Sequence, residues 1–341
     1  MRAIIYHQHD DIRMEEVPIP VIGPGELLVR VAGCGLCGSD LLKIQQRAAP
    51  PVKLGHELTG VVVEDGFGVN RFAPGQRVVV AHHVPCGECH YCQHGNVSMC
   101  AAFKSSNLDP CGFAEYVRVP SEHVKHATLA LPDALSDEEG SFTEPLACVV
   151  RAVRRSSLRP GDLAVVVGLG TVGLLMAQAF RAAGVEVLGL DVLPERIAFA
   201  GEYGVSAVNA TEPELREHVR ALSDGRGADL VMLTIGGEAA FQQALDLVCA
   251  GGAVHLFAAT PGALAQIELD EVYHRELTVQ ATYSSSPDDL RAALNLLASG
   301  QAQVDGLYSH RLPLERFAEG VALFASRQAR KVYFEIADQT T

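Results

Sequence analysis

Leu163-Ala164-Val165-Val166-Val167-Gly168-Leu169-Gly170-Thr171-Val172-Gly173 is the stretch that decides the fold. Its first five residues form an unbroken apolar run, the pattern of a strand buried on both faces of a parallel sheet. Glycines follow at once, and residues 171–183 then read as a helix. A bare G-x-G-x-x-G says little. Between a strand and a helix it has the context that phosphate binding needs. Gly168 allows the tight turn, Gly170 lets the backbone approach a pyrophosphate, and Gly173 lets the helix pack closely on the strand. The helix N-terminus at Thr171 and Val172 offers N–H groups to the anion. The bland alternative is a glycine-rich turn with no ligand.

Working outward toward the C-terminus, residues 185–190 make a second apolar strand, which Asp191 ends 18 residues after Gly173. A carboxylate there can accept hydrogen bonds from both ribose hydroxyls of NAD, and it repels the 2′-phosphate of NADP. Val192 and Leu193 offer no countercharge, and Arg196 lies about a helical turn away, so the expected cofactor is NAD. Residues 194–203 read as a helix, and 229–234 and 253–258 repeat the strand pattern. This alternation predicts a βαβ core over residues 150–284. A helix is expected over 287–298, ahead of Gly300, a further helical stretch over 312–324, and a closing strand over 331–336. Upstream, residues 1–150 read as an irregular, mostly β domain. Short strands at 29–31, 58–64 and 77–81 are punctuated by Pro20, Gly23, Pro24, Gly25, Pro74 and Gly75.

A length of 341 residues fits two domains, each able to bury a core. Asp and Glu number 41 against 27 Lys and Arg, a net charge of −14. That balance argues against nucleic acid and anionic membranes as partners, since both reward positive charge. Residues 1–16 have no apolar secretory core, and no apolar run approaches the roughly 20 residues of a membrane span. The expectation is a cytoplasmic protein.

Four of the nine cysteines, Cys86, Cys89, Cys92 and Cys100, fall within 15 residues. In a reducing compartment such clustering suggests metal ligation. Soft thiolates at short spacing suit tetrahedral Zn²⁺. An iron–sulfur cluster competes, but the ferredoxin run has three residues before its last cysteine, followed by proline. Here seven intervene and Ala101 follows. With all four positions occupied, the ion would organise a lobe rather than catalyse. A second group, Cys37, His56, Glu57 and Glu144, offers a Cys/His/Glu set able to bind Zn²⁺ and leave one position open. A lone His56 would more often be a hydrogen-bonded core residue. Beside a zinc lobe and a dinucleotide fingerprint, it suggests zinc as a Lewis acid paired with hydride transfer to nicotinamide.

These pieces resemble the zinc-dependent medium-chain dehydrogenases, the superfamily of alcohol, sorbitol and threonine dehydrogenases. The resemblance rests on residues 35–40, Gly55-His56-Glu57, the four-cysteine lobe, residues 112–117, Glu144-Pro145-Leu146, the glycine loop, residues 297–300 and Ser309-His310-Arg311. It implies an α/β chain with a GroES-like catalytic domain over residues 1–150, carrying the structural zinc lobe at about 84–102. A Rossmann-type doubly wound domain follows at 151–284, and residues 285–341 return to the catalytic domain. It also implies one catalytic and one structural zinc, and a homodimer or homotetramer. Cys37 and His56 match the catalytic ligands. Glu144 stands where alcohol dehydrogenases have cysteine and the sorbitol-like branch has glutamate. Glu57 matches a residue that joins or leaves the zinc shell. Asp40 matches the carboxylate behind the ligands, and Ser39 the hydroxyl that begins proton transfer.

Two positions depart from the family. The histidine that ends the proton relay in many relatives is Leu42 here. The arginine with which sorbitol dehydrogenases help hold polyol is missing from residues 282–287. The expected activity is hydride transfer between NAD and a secondary alcohol of polyol, sugar or cyclitol type. The runner-up is a threonine or amino-alcohol dehydrogenase. A zinc-free, NADPH-dependent quinone or enone reductase is disfavoured by Cys37, His56 and Asp191. A binding-only NAD protein is disfavoured by the retained site residues.

Overall fold

The computed structural model describes residues 1–336 except Asp10 and Arg47. The chain divides into two units. One comprises Met1–Ala147, Ser285–Ser299 and Val304–Thr341; the other comprises Cys148–Ser284 and Gly300–Gln303. Residues 337–341 lie outside the described residues.

The second unit is built on a six-stranded parallel sheet. Its order is Ser206–Asn209, Glu186–Asp191, Leu163–Val167, Ala228–Leu233, Val248–Leu256 and Thr278–Ala281. Chain order thus starts in the middle, runs to one edge, then returns to build the other half, as in a doubly wound fold. Every residue of Leu163–Val167 is buried, which is why that run carries no alternation. Val165, Leu188, Val231 and Val254 anchor its core, with Leu215, Val219 and Leu245 from the covering helices.

The first unit has a seven-stranded sheet. His310–Pro313, Val332–Glu335, Leu27–Gly35, Glu57–Asp65, Arg77–Val80 and Thr128–Ala130 follow one another, and Tyr116–Val119 also pairs with Leu27–Gly35. The C-terminal segment is integral to it. Phe317, Val332 and Phe334 join Leu27, Val29, Leu58 and Phe113 in one core. Here the helix expected over 312–324 is shorter. Leu312 and Pro313 belong to a strand paired in parallel with Val332–Glu335, and the α-helix starts at Phe317. Among the described residues no helix is long and apolar enough to cross a membrane.

Candidate metal centre and nucleotide loop

Cys37 caps the helix Gly38–Gln45. Its Sγ accepts from Ser39 N at 3.4 Å, while Asp40 Oδ2 accepts from Cys37 N at 3.3 Å. This is a capping box with a thiol in the hydroxyl's place, so one local motif positions both Cys37 and Asp40. His56 leads into Glu57–Asp65, whose antiparallel register sets Glu57 opposite Gly35. One ligand atom from each of Cys37, His56 and Glu57 consequently lies within 4.8 Å of the other two.

Asp40 is fully buried behind His56. Its Oδ1 lies 3.5 Å from His56 Nδ1 and accepts from Gly55 N at 3.2 Å. Nε2 is left toward Ser39, whose Oγ is 3.4 Å from it and 3.3 Å from Cys37 Sγ. Burial alone would raise the Asp40 carboxyl, but His56 and Lys43 hold it below its ordinary value. Burial alone would lower the His56 pKa, but Asp40 and Cys37 raise it well above the usual imidazole value. The surroundings thus draw a cation to His56, and a zinc ion meets the same demand with thiolate, imidazole and carboxylate donors.

Glu144 is buried in the first turn of Thr143–Arg155 and does not belong to the Cys37–His56–Glu57 set. It helps to raise the pKa of Lys331. Lys331 is a residue that sequence reasoning missed. Its Nζ is 2.5 Å from Glu57 Oε2, and both side chains are buried. The two form an ion pair between buried side chains. The ammonium also donates to Leu36 O at 3.3 Å. The Phe142 and Tyr308 rings lie 5.9 and 5.8 Å away. Any side chain at position 35 would strike the Glu57 carboxylate and the Tyr308 hydroxyl, which accounts for Gly35. His82 also escaped notice. Its ring is 4.6 Å from that of His56, and its Nδ1 is buried without a partner.

The four clustered cysteines converge. Cys89 caps His90–Gln93, which carries Cys92, and Cys100 caps Ala101–Ser105. Their Sγ atoms lie 3.6 Å apart for Cys89–Cys92, 3.6 Å for Cys86–Cys100 and 4.0 Å for Cys86–Cys92. Zn–S bonds of about 2.3 Å at tetrahedral angles require S···S separations of about 3.8 Å, so this set fits one zinc ion. An iron–sulfur body would hold its cysteines farther apart. Burial raises the Cys100 thiol, but the N–H groups of Cys86 and Phe103 outweigh it and bring the pKa down to about 6, which favours the ligating thiolate. Cys89→Ser is expected to reduce bound zinc by one ion per chain and to open the loop around residues 86–100 to proteolysis. Unchanged zinc content with unchanged protease resistance would refute a ligand role.

In the second unit, Gly168 has φ +95°, and a side chain at Gly173 would collide with Gly168 O. At Gly170 a Cβ would meet nothing nearer than Arg196 at 4.0 Å, so the loop is open where a ligand approaches. No side chain caps Thr171–Ala182, which leaves its N-terminus available to a phosphate. Asp191 accepts from Leu169 N at 2.8 Å and Leu193 N at 3.0 Å. Arg196 stands closer than the sequence spacing implied. Its guanidinium is 3.4 Å from Asp191 Oδ2.

Comparison with known proteins agrees with this construction. The profile of the alcohol dehydrogenase GroES-like domain matches residues 23–132, and that of the zinc-binding dehydrogenases matches residues 171–299. A sorbitol dehydrogenase from Halalkalibacterium halodurans is 33% identical, covering 97% of this chain and 98% of its own. An L-threonine 3-dehydrogenase from Bacillus velezensis is 31% identical, with 97% and 98% covered. A solved zinc-binding dehydrogenase from Sinorhizobium meliloti, bound to NADP, superposes with a TM-score of 0.85 at 31% identity, covering 98% of each chain. The thiol-capped helix, the buried carboxylate behind His56 and the open glycine loop therefore occur in a chain that belongs to the zinc-dependent medium-chain dehydrogenase superfamily, whose members are oxidoreductases using a nicotinamide cofactor.

Proposed function

We propose that this protein oxidises a secondary alcohol bearing further hydroxyl groups, of polyol, sugar or cyclitol type, with NAD as hydride acceptor. The convergence of Cys37, His56 and Glu57, with Ser39 beside them, carries the reading. When bound, zinc would supply Lewis-acid polarisation of the substrate hydroxyl, and the nicotinamide would take the hydride. Cys37, His56 and Glu57 would hold the metal, and Glu144 is the candidate for a fourth ligand. Asp40 fixes the His56 ring through Nδ1 and keeps Nε2 for the metal. Ser39 Oγ stands at the ligand side of His56 and receives the hydroxyl proton. Leu42 cannot pass that proton on, so it leaves Ser39 for water or another side chain.

The glycine loop and the N-terminus of Thr171–Ala182 would hold the pyrophosphate, and Asp191 with Arg196 the adenosine ribose. A carboxylate at that place favours NAD over NADP. Asp191→Ala is expected to raise KM for NAD at least about tenfold, the order of one charge-assisted hydrogen bond, and to narrow the preference against NADP. Equal kcat/KM for the two cofactors in the unmutated enzyme would overturn the assignment. An identity of 31% to an L-threonine 3-dehydrogenase keeps an amino-alcohol substrate as the second reading. A panel of polyols, cyclitols, simple secondary alcohols and L-threonine, followed by NADH formation, decides between them. Turnover of L-threonine alone would replace the polyol reading. The family likeness also suggests a homodimer or homotetramer.

A further inference from the structure

A cavity of about 220 Å³ opens on the second unit and is lined by Arg216, Arg220, Arg226 and Arg275, with Asp246 as its carboxylate. It lies at the opposite end of the sheet from the nucleotide loop. Leu163–Val167 and Ala228–Leu233 run parallel, with Gly168 following the carboxyl end of the first and Gly227 preceding the amino end of the second. Dinucleotides bind outside the carboxyl ends of such strands, so this cavity is not part of that site.

Acidic residues outnumber basic ones in this chain, and several of its arginines pair with carboxylates. Arg77 pairs with Asp137, Arg118 with Asp109 and Arg311 with Glu138. Arg275 likewise pairs with Glu271, and it donates to the carbonyls of Leu245 and Val248. Among the described residues, Arg216, Arg220 and Arg226 have no such partner. Arg216 and Arg220 are four residues apart on Leu215–Ala221 and share a helix face, a spacing at which like charges repel. Arg226 Nε donates to Ser223 O at 3.0 Å, which steadies the side chain and leaves its terminal nitrogens unused. Among the residues that line the cavity, these three guanidinium groups against Asp246 leave a surplus of two positive charges.

We propose that this cavity is a second anion site, which binds a phosphoryl dianion through Arg216, Arg220 and Arg226. The planar fork of a guanidinium matches paired phosphate oxygens, and a dianion cancels the surplus. The shared chemistry is a phosphoryl group, either free phosphate or a small phosphate monoester. Calorimetric titration of the zinc-loaded enzyme, saturated with NADH to occupy the cofactor loop, tests it with inorganic phosphate and with glycerol 3-phosphate. One site per chain is expected. Tighter binding of the ester would point to a phosphorylated metabolite, and equal or tighter binding of phosphate to the free ion. Arg216→Ala with Arg220→Ala, and separately Arg226→Gln, should weaken binding at least about tenfold. Without phosphate the double variant should melt no lower than the wild type, because a repulsion has been removed; with phosphate it should melt lower. No heat from either probe, or equal affinity in wild type and both variants, would overturn the proposal.

Discussion

His56→Ala is expected to lower kcat/KM for the alcohol substrate by about 10³-fold or more, with cofactor affinity changed less than about twofold. The two halves of this expectation have separate causes. His56 supplies one donor of a set of three whose ligand atoms lie within 4.8 Å of one another, and Asp40 behind it makes it the anchored one. Alanine leaves Cys37 and Glu57 as donors and Asp40 buried without the ring that it faces. Losing several kcal/mol of charge stabilisation on the reacting oxygen corresponds to the stated factor. The glycine loop belongs to the other unit and has its own core, so its ligand should not sense the change. Asp40→Asn should be milder, roughly 10- to 100-fold, because it disturbs the ring's orientation and leaves the donor in place.

The same site gives a pH dependence with a definite sign. A proton on His56 competes with zinc, and Asp40 and Cys37 hold that proton to a pH well above the usual imidazole range. Zinc occupancy after dialysis should therefore begin to fall with decreasing pH above the range expected of an unperturbed histidine. Near-normal turnover by His56→Ala, with one metal ion fewer per chain, would show that the metal is not needed for the reaction.

Features carried by contiguous residues were readable without coordinates. Leu163–Val167 and the loop to Gly173 need only local chemistry, so strand, turn and helix follow from eleven residues. The cysteine lobe is equally local. Residues 312–324 show where this fails. Leu312 and Pro313 look like the head of an apolar helix, but pairing with Val332–Glu335 draws them into a sheet. Long-range pairing overrides propensity there. Motif likeness gave Glu144 as a ligand and Glu57 as a residue that joins or leaves the shell, and the register of Glu57 opposite Gly35 is what brings its carboxylate beside Cys37 and His56. Lys331 could not be found in sequence at all. It lies 274 positions from Glu57, and a lysine beside a short strand reads as a solvated surface residue. The arginines of the cavity on the second unit are hidden for the same reason, since Arg275 joins the others only after the sheet has formed.

Lys331→Met should destabilise the zinc-free protein by about 3–5 kcal/mol, the cost of leaving a buried charge without its partner. Glu57 is 1% exposed and cannot recover hydration. Methionine keeps the length of the stem, so the loss reports the ammonium rather than a cavity. Burial works against the charged lysine, but Glu57, Cys37 and Glu144 outweigh it and hold its pKa above the ordinary value. The sign follows. A raised lysine pKa gives stability that is fully present below the unfolded value and is lost only as pH rises through the higher folded one, so the pair contributes undiminished through neutral pH. Glu57→Gln alone strands the ammonium instead, with Glu144 remaining to offset part of its charge. The double variant should therefore recover part of the loss, a coupling of about 1.5 kcal/mol or more. Urea unfolding of the four proteins, with and without zinc, separates the contributions. If Glu57 carries part of the metal, zinc provides the countercharge that Lys331 otherwise gives, and the penalty of Lys331→Met should shrink in the loaded protein. An equal penalty with and without zinc would assign Lys331 and Glu57 to the fold alone. A smaller penalty in the loaded protein, with zinc affinity altered by Lys331→Met, would make Lys331 the residue that sets how much of the Glu57 carboxylate reaches the metal.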